Sequence, residues 1–150
     1  MILVGLLGAA SAQADGFVCD SVSRDLTVKV YNHTDARVGT RTPAIMVVSD
    51  PRMSEGRKTI ATFEDAQGQL SSKNTTYKAN VDLRYVTSNR KGELIGGTKL
   101  GELDEIQLEV DFSYNEPLAA GESTKGVITL VKRNGEEVVM NAECVRYLKK

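Results

Sequence analysis

Between residues 106 and 114 the chain reads IQLEVDFSY, where Ile106, Leu108, Val110, Phe112 and Tyr114 alternate strictly with Gln107, Glu109, Asp111 and Ser113. A period of two gathers the apolar set on one face of an extended strand and leaves the polar set in water. Wound into a helix, the same residues would scatter their apolar side chains around the whole circumference. The segment therefore predicts a half-buried strand at the centre of an antiparallel sheet.

Other stretches supply its partners. Phe17, Val18 and Cys19 lead to residues 26–32, where Leu26, Val28 and Val30 alternate with Thr27, Lys29 and Tyr31. Residues 40–43 (TRTP) read as a break, and residues 44–48 (AIMVV) as a short strand covered on both faces. A shorter strand is expected over 58–63, and residues 64–76, which have no apolar period, are expected to form an exposed loop. Residues 77–87 repeat the alternation, with Tyr77, Ala79, Val81, Leu83 and Tyr85 inward. A short strand over 93–95 precedes Gly96-Gly97, a bend. Asn134-Gly135 separates apolar runs at 126–132 and 136–145, which predicts a hairpin closed by a type I′ turn. The sum is an all-β fold of about eight strands with no amphipathic helix, a single antiparallel barrel or β-sandwich, of which the barrel is the preferred form.

The first residues read as an address. Residues 2–7 are apolar, and Ala12-Gln13-Ala14 has the small-x-small form of a cleavage site, so residues 1–14 are expected to be a signal peptide and the mature domain, 15–150, to start at Asp15 after Ala14. A signal peptide ordinarily opens with Lys or Arg, whereas Met1 is followed directly by Ile2, which leaves the true start open between Met1 and a position upstream. Export gives the two cysteines, Cys19 and Cys144, an oxidising compartment and a natural use as one disulfide. That bridge would bring the first and last strands together, as in a sheet that curls round to meet its own beginning.

Charge and composition exclude several partners. The 19 basic and 20 acidic residues are interspersed along the chain, with no clustered excess of Lys or Arg for nucleic acid or an anionic membrane. With no Trp, five Tyr and three Phe, the chain is poorly equipped for stacking on bases or sugars. The apolar leader is too short to span a bilayer. A lipid-facing barrel would need an apolar outer face, whereas the alternate positions here hold Lys78, Asp82, Arg84, Glu109 and Asp111.

Few residues offer chemistry. His33 is the only histidine and no spacing nominates a nucleophile beside it. Glu109 and Asp111 stand about 7 Å apart on one strand face, within the range of a glycosidase carboxylate pair, but alternating acids are also what a solvated strand face looks like. Glu102, Asp104 and Glu105 lack the ligand spacing and central glycine of a calcium loop. Residues 92–99 (GELIGGTK) have Thr98-Lys99 where a phosphate-binding loop needs Lys followed by Ser or Thr. Asn32-His33-Thr34 and Asn74-Thr75-Thr76 fit the glycosylation pattern. No cofactor or metal is expected.

The opening Phe17-Val18-Cys19, the alternating strand at 26–32 and a second cysteine far downstream resemble the start of the small periplasmic inhibitors of C-type lysozyme. That resemblance implies an eight-stranded barrel. Inhibitors of that family insert a Ser-Gly-x-x-Tyr loop into the enzyme, and Ser71-Ser72 before Tyr77 does not match it. Three functions remain open. The first is an exported non-enzymatic binding module, periplasmic or secreted, acting through a surface or barrel-mouth site, where a small ligand would sit at the loops over 64–76 and 88–100. The second is an inhibitor or partner-protein binder using a loop over 52–58. The third is a hydrolase using Glu109 and Asp111.

Overall fold

A computed structural model describes residues 15–32, 41–52, 59–70, 74–82, 94–112 and 121–148. Eight strands close into an antiparallel barrel: β1 (Asp15–Ser21), β2 (Thr27–Asn32), β3 (Arg41–Ser49), β4 (Thr59–Leu70), β5 (Thr75–Asn80), β8 (Leu103–Val110), β9 (Ser123–Lys132) and β10 (Glu137–Leu148). Each barrel strand neighbours the next in sequence, and β10 returns to pair with β1. A hairpin of β6 (Leu94–Ile95) and β7 (Thr98–Lys99) is inserted between β5 and β8. Closure removes the sheet edges that an open sandwich would leave exposed.

Residues 106–110 lie in β8, paired with β5 on one side and β9 on the other. Ile106, Leu108 and Val110 are buried and Glu109 is exposed, as the alternation requires. The strand starts earlier than expected, at Leu103, and stops at Val110, because the Phe112 N–H donates back to the Val110 carbonyl (2.7 Å) in a tight turn. That turn still delivers Phe112 to the interior. Tyr114 lies outside the described residues.

Four boundaries differ from expectation. Residues 64–70 are the second half of β4, not a loop. Pairing with β3 slips at Ala44/Met46 and again at Val48/Ser49, so the buried positions of β4 run Ile60, Phe63, Ala66 and Gly68. Each slip adds one residue to β4, and such bulges break the period on which a strand is recognised. Secondly, Thr42-Pro43 is strand, not break. Pro43 pairs with Gln67 just beyond the end of the β2 ladder, which stops at Asn32–Ala44, a ladder-end position that tolerates a missing N–H. Thirdly, Ile45 and Val47 are half-buried rather than covered on both faces. Fourthly, the type I′ signature falls at Gly96-Gly97, with φ of 56° and 86°. At the β9–β10 hairpin only Gly135 has positive φ (93°), and the Gly135 and Lys132 N–H groups donate to the carbonyls of Lys132 and Glu136. This is a three-residue loop with a glycine bulge.

Inward side chains form one core from Phe17 and Phe112, at the end where β1 begins and β10 finishes, to Leu103, Leu100 and Ile95 at the other. An eight-stranded barrel is just wide enough for its own side chains to fill. The β6–β7 hairpin plugs the second end: Ile95, Thr98 and Leu100 are buried, and a Cβ on Gly96 would lie 2.8 Å from Met140 Cε.

Candidate functional site

The strongest link in the barrel is its seam. Cys19 and Cys144 occupy directly paired positions on β1 and β10, both point inward, both have 0% exposure, and they are bonded to each other. The expected disulfide therefore joins the strands that close the barrel, across 125 residues of sequence. No free thiol exists among the described residues. Asp15 pairs with Leu148 at the start of β1, whereas Ala14 and the expected leader lie outside the described residues.

Two residues beyond Cys144, Arg146 keeps the inward parity of Ala142 and Cys144. Its guanidinium carbon lies 4.4 Å from the centre of the Phe112 ring and 5.3 Å from that of Phe17. The rings meet edge to face, 5.3 Å apart at 63°, a favoured aromatic geometry. A cation over two ring faces is attracted by their quadrupoles, so one end of the core is capped by an arginine rather than by an aliphatic side chain. Beside it, Thr75 is buried and donates its hydroxyl to the Phe112 carbonyl (3.0 Å). Sequence reasoning ended the last strand at Val145 and missed this residue; counting two on from Cys144 would have placed it inside.

At the plugged end two polar turns stand together. Ser21 and Ser23 both donate hydroxyls to Asp25 Oδ1 (2.9 and 2.6 Å), while the Asp25 and Leu26 N–H groups donate to Ser21 Oγ (3.2 Å each). The Ser23 hydroxyl leads the causes that hold the Asp25 carboxyl below its ordinary range, against a smaller opposing effect of burial. Asp50 accepts a fork from Arg52 Nε and Nη2 (3.0 Å each) and the Arg52 backbone N–H (2.9 Å). The Arg52 side-chain bond is the first cause lowering the Asp50 carboxyl. Arg52 also acts electrostatically on Asp25, so the two turns form one polar corner. A hydroxyl beside a carboxylate can resemble a nucleophile and its base. Here, however, Ser21 is the centre of a turn that closes β1 onto β2, through the Ser21 N–H to Leu26 carbonyl bond (2.9 Å).

Two recesses lie over the barrel strands. One, of about 360 Å3, crosses β4, β5, β8 and β9 and is lined by Gln67, Gln69, Lys78, Gln107 and Glu109. A second, over β8, β9 and β10, includes both Glu109 and Asp111 beside Lys125. Both carboxylates are exposed. The acidic cluster spreads apart: Asp104 pairs with Arg133 (3.8 Å), Glu105 with Lys78 (3.5 Å), and Glu102 lies in a single 3-10 turn. No group of three metal-ligating side chains occurs among the described residues. Residues 94–99 of the glycine-rich stretch form a β-hairpin rather than a phosphate cradle leading to a helix. Asn74 is half-buried and Thr76 exposed, while His33, Thr34, residues 53–58 of one candidate loop and 88–93 of another fall outside the described residues.

These features define a class: a closed eight-stranded up-and-down barrel with a filled interior and a disulfide across its closing seam. Among the described residues no helix is long and apolar enough to cross a membrane. No family model, curated protein or solved structure matches the chain.

Proposed function

We propose that the chain is an extracytoplasmic, non-enzymatic binding module that meets a partner protein on the outside of its barrel. The observation that carries this reading is the filled interior: a single core of side chains occupies the space in which a ligand-carrying barrel holds its ligand. Residues 64–70, half of one loop that would have formed a ligand-holding mouth, are a paired strand, and residues 94–100 of the other supply a buried plug. Recognition then falls to the outer wall and the connecting loops, where rigid β scaffolds usually carry it.

The buried disulfide favours an oxidising compartment, and thus export. The carboxylates favour binding over hydrolysis. A general acid needs an apolar pocket to raise its pKa, and Glu109 and Asp111 sit on an open wall beside Lys125.

The test is native mass spectrometry of protein isolated from its own exported fraction, with and without denaturation. The expected result is a chain beginning at Asp15, two hydrogens light, with no small molecule released on denaturing and a protein partner bound at fixed stoichiometry. A small molecule released in equimolar amount would overturn the reading. So would glycosidase turnover that Glu109→Gln abolishes.

A further inference from the structure

The outer wall is not uniform. Over β4, β5 and β8 the outward residues are Gln67, Gln69, Thr76, Lys78, Gln107 and Glu109. Over β1 and β10 they include three exposed valines: Val22 at 73%, Val139 at 61% and Val145 at 37%. Two of them, Val22 and Val145, line one groove of about 720 Å3 together with Asp20, Glu143, Arg24 and Arg52.

The register orders these groups along the wall. Val145 pairs with Val18 and Glu143 with Asp20. Next comes Val22, whose N–H donates to the Asn141 carbonyl (2.9 Å), and beyond it the turn that carries Arg24. The most exposed valine thus stands between an acidic pair, Asp20 and Glu143, and Arg24; Arg52, in the same groove, is already held by Asp50 (3.0 Å). Arg24 and Glu143 take part in no ion pair among the described residues.

Arg24 adds a second observation. It is the only non-glycine residue with positive φ among those described (62°). An Arg held there is strained where Gly or Asn would not be, and such outliers concentrate where the side chain is used.

We infer that this face docks a second copy of the same chain across a two-fold axis near Val22. A surface with an unpaired cation, an apolar centre and an acidic pair in line is complementary to itself. Rotation by half a turn lays each copy's Arg24 on the other's Asp20 and Glu143, with Val22 against Val22. That is the isologous arrangement of a closed dimer. The occupant is a second copy because both signs of charge lie in one groove, whereas a strongly acidic or basic partner would meet a like charge at one end.

Sedimentation velocity over a concentration series tests this on the whole mature chain. Wild type is expected to dimerise in a concentration-dependent way, more weakly at high salt. Val22→Asp, Arg24→Glu and Glu143→Arg should each raise the dimer Kd by ~10-fold or more. Mixing the Arg24→Glu and Glu143→Arg proteins should restore a heterodimer, since a two-fold contact then sets the introduced glutamate of one copy on the introduced arginine of the other. Arg24→Gly relieves the strained backbone, so it should fold at least as well as wild type yet dimerise less. A wild type that stays monomeric at every concentration overturns the inference, as does a dimer indifferent to these changes or a mixture that fails to associate.

Discussion

The sulfur of Cys144 fills the space that a side chain at position 126 would need: a Cβ built on Gly126 would lie 2.5 Å from Sγ and 3.1 Å from the Glu109 carbonyl oxygen. Gly126 is thus part of the disulfide site, though it sits on β9 and bonds to neither cysteine. Gly126→Ala should cost about 1–3 kcal/mol through overpacking. In a Cys19→Ala/Cys144→Ala background the same change should cost less, because the sulfur is gone and only the carbonyl contact remains. Urea unfolding of the four proteins measures the coupling; additive costs would show that the sulfur is not what excludes a side chain.

Opening the seam is a separate experiment. A bridge spanning 125 residues restricts the unfolded chain strongly, by at most about 4.7 kcal/mol on a chain-entropy estimate. The Cys19→Ala/Cys144→Ala protein should lose several kcal/mol of stability, read as a lower urea midpoint. Because both cysteines have no exposed surface, reductant should open the bridge only as the barrel opens. Thiol labelling after reductant treatment should therefore be slow in buffer and fast in urea, and equal rates would contradict a buried bridge.

Acid should weaken the polar corner. Asp50 is held below its ordinary value of 3.8 by the Arg52 fork, so its charged form favours the folded state. The contribution is complete above the unfolded value and fades as the pH falls through the lower folded one. Asp50→Asn should accordingly be less stable than wild type at pH 7, and the gap should close below pH 3.8. Urea midpoints at both ends of that range decide it; a gap that persists in acid would assign the effect to packing instead.

Arg146 offers a fourth test. Arg146→Met keeps an apolar stem against Phe17 and Phe112 but removes the cation. The expected loss is about 0.5–2 kcal/mol, read as a lower Tm. Arg146→Lys should recover only part of it, since a compact ammonium lacks the planar face that stacks on a ring. An unchanged Tm in both variants would make Arg146 a bystander at that end of the barrel.

Where the sequence and the structure agree, the agreement has a local cause. Ile106, Leu108 and Val110, or Tyr77 and Ala79, alternate in unbroken ladders, so period and burial coincide. The two cysteines needed only a compartment and a count. Agreement fails where registry changes. Phe63 and Ala66 are three apart because a bulge lies between them, and no period-two template finds such a strand. The polar corner and the Val22 face were illegible for another reason: they join residues from turns and strands that only the closed barrel brings side by side.

The pairing of β1 with β10 also governs how the chain can be made. Asp15 meets Leu148, and Cys19 finds its partner only near the end of the chain. The first strand must therefore wait, with its β10-facing edge unsatisfied, until the last has emerged. Contacts this distant in sequence form slowly. A chain whose ring cannot shut early stays threadable, a useful property in any polypeptide that crosses a membrane unfolded and is locked on the far side by oxidation.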